Sequence, residues 1–195
     1  MHGLINMALQ GFVVRTYGQA AWDNLRELAR LPFEEFEAML VYDPWLTDAV
    51  IDAASVQFQT TRASFLEDVG TWIVAGPGQE RIRRLLRFGG SDFRAFLDSV
   101  EEVPGRARMA LPPLTLPEVE LTRLSPRLYR LDVACRAPVL AHMIAGALRA
   151  LADDYGALVV IECEADAGGH AAIQIELLDN CYAEGRSFSL GKVGA

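Results

Sequence analysis

Histidine and cysteine are scarce in this chain of 195 residues, at three each. His2, His142 and His170 have no metal-ligand spacing to one another. Cys135, Cys163 and Cys181 are odd in number and form no CxxC pair, which argues against a disulfide framework or a zinc site. Thiols in a reducing cytosol are the simplest reading. There is no long basic tract. Eighteen Lys and Arg against 26 Asp and Glu leave a formal net charge of −8 and a pI near 4.9, so neither nucleic acid nor an anionic membrane is an expected partner. No run of about 18 apolar residues is free of charge. The apolar start, MHGLINMALQGFVVRTYG, lacks a basic n-region and a small-residue cleavage site. A cytoplasmic location follows as the expectation. GxSxG, a P-loop, HExxH and an EF-hand loop are all missing, and no nucleophile or acid–base constellation stands out. The chain is not expected to be an enzyme.

What is present is a globular composition, 51% apolar and 23% charged, in a length that suits one compact unit. A mean hydropathy of +0.16 leaves room for a filled core, an apolar ligand cavity or a partner face. The first half reads as successive helices. Leu4, Ile5, Ala8, Leu9, Phe12 and Val13 share one helical face, closed by Gly18. Trp22, Leu25, Leu28 and Ala29 mark a second helix. Asp43-Pro44 supplies an N-cap and an N1 proline for a third. Phe65, Leu66, Val69, Trp72 and Ile73 lie on a fourth, broken by Gly76-Pro77-Gly78. Ile82, Leu85 and Leu86 form another, ended by Gly89-Gly90, and Ser91 is read as the cap of the helix with Phe93, Phe96, Leu97 and Val100.

Pro104-Gly105 and Pro112-Pro113 mark a change of character. From Val119 the pattern alternates through a turn at Ser125-Pro126, with Tyr129, Leu131 and Val133 against Leu128, Arg130 and Asp132, as in a hairpin. Pro138 opens a long amphipathic helix ending at Tyr155-Gly156. Ala157–Glu164 and Ala171–Leu178 are strands about a turn at Gly168-Gly169-His170. The expected fold is α+β: a helical lobe, 1–110, packed on a lobe, 111–195, with a four-stranded antiparallel sheet and a long helix. The adjacent acids Glu101-Glu102 and Asp153-Asp154 read as solvated faces, because i and i+1 do not face each other on a helix. Residues 81–87, RIRRLLR, are the one basic cluster. They suit a phosphate, an acidic partner, or a solvated face paired with acids.

Several of these stretches together resemble a known family. They are the opening Met1-His2-Gly3 and its apolar helix, Phe12, Tyr17-Gly18, Trp22, the segment LLRFGGSDFRAFLDSVEE, the Pro-Pro pair, DVACR and the helix to Asp154-Tyr155-Gly156. In that order they are similar to the haem–nitric-oxide/oxygen-binding (H-NOX, or HNOB) domain. The resemblance spans nearly the whole chain. It implies a haem held between the two lobes, sensing of nitric oxide or oxygen, and signalling from a stand-alone domain to a histidine kinase or a cyclic-nucleotide enzyme.

Carried over residue by residue, the family's pattern is incomplete. The proximal histidine position, after Leu97-Asp98-Ser99-Val100, is Glu101, a hard oxygen ligand and an unusual axial partner for haem iron. The Y-x-S-x-R clamp for the propionates falls on Asp132, Val133, Ala134, Cys135 and Arg136, of which only Arg136 matches. An arginine pairs bidentately with a carboxylate. The distal tyrosine of oxygen-binding members falls near Ala141, so stable oxygen binding is not expected. His142 and Cys135 remain as substitute ligands. The resemblance places Ile5, Leu9, Phe93, Leu97, Leu140 and Ile144 around the cofactor. Two readings stay open: a sensor with non-standard or lost haem ligation, or a non-haem protein-interaction module or apolar-ligand-binding protein on the same fold. Without haem the two lobes are expected to close on each other.

Overall fold

A computed structural model describes residues 1–110, 114, 116–134, 138–165 and 170–186. Its first helix, α1 (Gly3–Tyr17), starts where His2 Nδ1 accepts the Leu4 N–H at 3.3 Å and stops at Gly18, φ +91°. Helix α2 is Gln19–Leu28. Helix α3, Pro44–Phe58, has the predicted start: Asp43 accepts from the Trp45 N–H, and proline fills the first turn, where its missing donor costs nothing. Helix α4, Arg62–Ala75, is capped by Thr61. Leu9, Val13, Trp22, Leu25, Val50, Ile51, Phe65 and Val69 from these four helices make one core.

Helix α5 (Glu80–Arg87) buries none of its residues completely. Helix α6 (Phe93–Asp98) is capped by Asp92 rather than Ser91. The Asp92 carboxylate accepts the Ala95 N–H at 2.9 Å, and Ser91 lies one residue too early to reach it. The predicted break at Pro104-Gly105 is also displaced. A 3-10 turn, Val100–Glu102, leads into α7, Val103–Ala110, with Pro104 in its first turn.

Strands β1 (Glu118–Arg123) and β2 (Leu128–Ala134), helix α8 (Pro138–Tyr155), and strands β3 (Leu158–Ala165) and β4 (His170–Asp179) complete the order. His170 begins β4 instead of sitting in a turn; Gly168 and Gly169 lie outside the described residues. The four strands are antiparallel in the order β1-β2-β4-β3, with Leu131 opposite Ile173 and Ile161 opposite Ile175. Period-two alternation sends Tyr129, Leu131, Val133, Ile173 and Ile175 to one buried face. They pack with Ala145, Leu148 and Leu151 of α8 and Phe93, Phe96 and Leu97 of α6 in a second core. The fold is thus α+β, with helices on one face of the sheet.

Helix α8 belongs to both cores. Val139 and Met143 enter the first, Ala141, Ala145 and Leu148 the second. Its crossing with α4 is a backbone contact. A Cβ on Gly70 would lie 2.0 Å from the Met143 carbonyl oxygen, and one on Gly146 would lie 1.9 Å from that of Glu67. The Thr71 hydroxyl donates to the Gly146 carbonyl at 3.2 Å across the same seam. Neither clash can be relieved by a rotamer change, because the obstacle is main chain. Gly146→Ala is therefore expected to destabilise the fold by about 3 kcal/mol, at the upper end of overpacking costs. Urea unfolding would measure it, and a loss within error would mean that the two helices separate freely.

Candidate functional site

Glu101, which the resemblance leads one to expect at the proximal position, is at the protein surface. Glu101 is exposed, and its Oε1 accepts the Leu121 N–H at 2.7 Å, tying the 3-10 turn to the edge strand β1. The apolar residues expected around a cofactor divide between the two cores. Ile5 and Leu9 are buried in the first, with Leu140 packed against it. Phe93 and Leu97, both at 0% exposure, are in the second, with Ile144 packed against it. Arg136 and Cys135 lie outside the described residues.

His142, one turn into α8, is mostly buried. Its Nδ1 has no hydrogen-bond partner and stands 3.6 Å from Glu67 Oε1 of α4. The other Glu67 oxygen accepts from Arg149 at 2.6 Å, and Arg149 also donates to the Ile161 carbonyl at 2.7 Å. This chain of contacts joins α4, α8 and β3. His142 also borders an open hollow of about 980 Å³ at the end of the sheet, together with Cys163, Val133, Asp132, Glu118 and Glu164. Among the described residues no group of three or more His, Cys, Asp or Glu is arranged to hold a metal ion.

The basic helix has two roles. Arg81 and Arg84 are exposed, while Arg83 and Arg87 turn inward to Asp154. Arg83 Nε donates to Asp154 Oδ1 at 2.8 Å, and Arg87 Nη1 donates to the Asp154 carbonyl at 2.9 Å. Asp154 is 3% exposed, so the expectation that both members of the Asp153-Asp154 pair are solvated is corrected: only Asp153 is. The last turn of α8 directs residue 154 toward α5, where two arginines four apart on one helix face meet it. Arg87 also lies 3.9 Å over the Tyr155 ring, a cation–π contact. Burial raises the Tyr155 phenol above its usual range, and its OH donates to the Gly90 carbonyl at 3.0 Å. Asp92, which caps the neighbouring helix, is held below the usual carboxylate range chiefly by the Ala95 N–H, against some desolvation. That cap is complete above the ordinary aspartate pKa and is lost as pH falls through the lowered folded value.

A family model described as Haem-NO-binding matches residues 2–163. The chain belongs to the haem-NO-binding family. Solved H-NOX structures share its fold. The unliganded Fe(II) H-NOX protein from K. algicida superposes with a TM-score of 0.77 at 15% identity, covering 94% of this chain and 100% of its own. An H-NOX protein from S. oneidensis in the Fe(II)NO state gives 0.73 at 17%, covering 92% and 100%. The S. oneidensis domain in the Fe(II)CO state gives 0.71, also at 17%, with the same coverage. At these identities the likeness is one of fold.

Within this H-NOX chain, the sequence reading missed the Arg83–Asp154–Arg87 cluster and the Glu67 partner of His142. Arginines spaced i and i+4 opposite a helix-terminal acid were a usable signal for the first. The second joins residues 75 apart and had none. Asp154→Ala leaves two largely buried guanidinium groups without their carboxylate, and is expected to cost about 3–5 kcal/mol. Chemical denaturation would check this; a change under about 1 kcal/mol would place the cluster among weak surface pairs.

Proposed function

We propose that this H-NOX domain is a sensor or regulatory module that signals to a partner protein, and that haem ligation through the family's proximal position is lost. The observation carrying this reading is Glu101, which is turned outward and engaged with the backbone of β1. The residues present do not fit a haem held in the family's manner. Position 101 offers a surface carboxylate, positions 132 and 134 of the clamp are Asp and Ala, and Phe93 and Leu97 are already buried against the sheet core. On this reading residues 1–195 act as one domain, the chain carries out no chemistry of its own, and it works in the cytoplasm. No helix among the described residues is long and apolar enough to cross a membrane. The family resemblance supports a histidine kinase or a cyclic-nucleotide enzyme as the class of partner.

One observation favours a second reading. His142 is mostly buried at the border of the sheet-end hollow, and its Nδ1 faces Glu67 without a hydrogen bond, which marks it as the available imidazole for a non-standard haem ligand; a diatomic gas would then bind through that haem. Cys135 is the other substitute. The apolar-ligand alternative shares the same fold and needs no iron.

The test is expression with a haem precursor followed by an absorption spectrum. Two missing clamp partners, at about 1.5 kcal/mol each, lower affinity by roughly a hundredfold before the axial bond is counted. The purified protein is thus expected to carry little haem. A stoichiometric Soret band would overturn the loss of ligation. If that band then vanished in His142→Ala with the fold intact by circular dichroism, the second reading would replace the first.

A further inference from the structure

Among the described residues, no element covers the sheet face opposite α8, which carries an unusual charge pattern. Strand register sets Glu120 opposite Asp132, Ala172 opposite both Asp132 and Glu164, and Gln174 opposite Glu162. Glu120, Glu162, Glu164 and Glu176 are exposed, and none has an ion-pair partner among the described residues. Asp132 is paired with Arg130 at 2.9 Å, the one basic side chain that these facing rows contribute. A solvated sheet face normally mixes the two signs, since like charges directly opposite are destabilising. Here Glu120 stands on the edge strand β1, Glu162 and Glu164 on the edge strand β3, and Asp132 and Glu176 on the central strands β2 and β4, with the small side chain of Ala172 between Asp132 and Glu164. Three strand spacings of about 4.8 Å place the acidic edges about 14 Å apart. A helix with its side chains is about 10–12 Å across. The hollow of about 980 Å³ opens at one end of this floor.

We infer that this face is the docking surface for a lysine- or arginine-bearing helix of a partner protein, with Ala172 as the floor and the glutamates of β1 and β3 as the two walls. The inference rests on the reading of the chain as a signalling module and names the surface through which it acts. Charge complementarity selects a basic occupant: acids on both walls attract a cationic helix, speed its encounter and repel an acidic one. The same sign pattern disfavours a second copy of this face and an anionic lipid surface.

The experiment is fluorescence anisotropy of a labelled alanine–lysine helical peptide titrated with the full chain. The same titration is run with a face variant, Glu120→Gln, Glu162→Gln, Glu164→Gln and Glu176→Gln together. A control variant of equal charge carries Glu27→Gln, Glu34→Gln, Glu35→Gln and Glu37→Gln on the helical lobe. Binding by the native chain is expected, weakening with salt. The face variant should lose about tenfold, the yield of several exposed ion pairs, while the control keeps native affinity. Equal losses in both variants would reduce the effect to net charge and overturn the assignment, as would no binding by the native chain. Matching thermal unfolding curves for the three proteins exclude loss of folding. Haem content measured on the same samples separates this outcome from the ligation reading, because none of the eight positions is among the proposed iron or clamp residues.

Discussion

The main-chain contact between α4 and α8 is the constraint on which the rest of the structure depends. Gly70 and Gly146 let each helix rest on the other's carbonyl oxygens, at a separation that no side chain permits. Because α8 contributes to both cores, this seam sets where the helical lobe stands relative to the sheet. Interiors are packed to crystal-like density and respond to displacement as a unit. A contact fixed by backbone is therefore transmitted to Met143 on one side and to Ala145 and Leu148 on the other. The Thr71 hydroxyl and the Glu67–Arg149 pair flank the seam and make it polar at its margins.

A second tie holds the far end of α8. Asp154 draws Arg83 and Arg87 of α5 inward, and Tyr155 anchors Gly90 just before α6. The consequence for α6 is direct. Its start is set by the Asp92 cap and by the Tyr155 contact two residues earlier, so Phe93, Phe96 and Leu97 turn to the sheet. The turn that follows carries Glu101 outward to β1. Glu101 thereby serves as a structural hydrogen-bond acceptor, by the geometry of the short helix before it and by its residue type.

Much of this was legible in the sequence because it rests on local signals. Helical spacing in residues 4–13, the Asp43-Pro44 start and the Pro138-to-Gly156 helix are set by propensity and capping within a few residues. The alternation of Tyr129, Leu131 and Val133, and of Ile173, Ile175 and Leu177, fixes which strand faces are buried. The absence of a histidine directly after Leu97-Asp98-Ser99-Val100, and the Asp and Ala at positions 132 and 134, are likewise matters of residue identity. The cap expected at Ser91 is one residue off, where two neighbouring residues compete for one role, and the break assigned to Pro104-Gly105 falls inside α7, whose first turn tolerates the proline.

Only the tertiary structure decided which charges are buried and which helices touch. Asp153 and Asp154 are equivalent in sequence, yet the last turn of α8 points one to water and the other to two arginines. Gly70 and Gly146 look like weak points in their helices until the crossing brings them together. Glu67 and His142 meet across 75 residues, and the acids on β1 and β3 share a face through strand order β1-β2-β4-β3. The physical reason is the same in each case. Periodicity and capping are encoded over the length of a turn, whereas a pairing between distant elements depends on how their faces are rotated when the cores close.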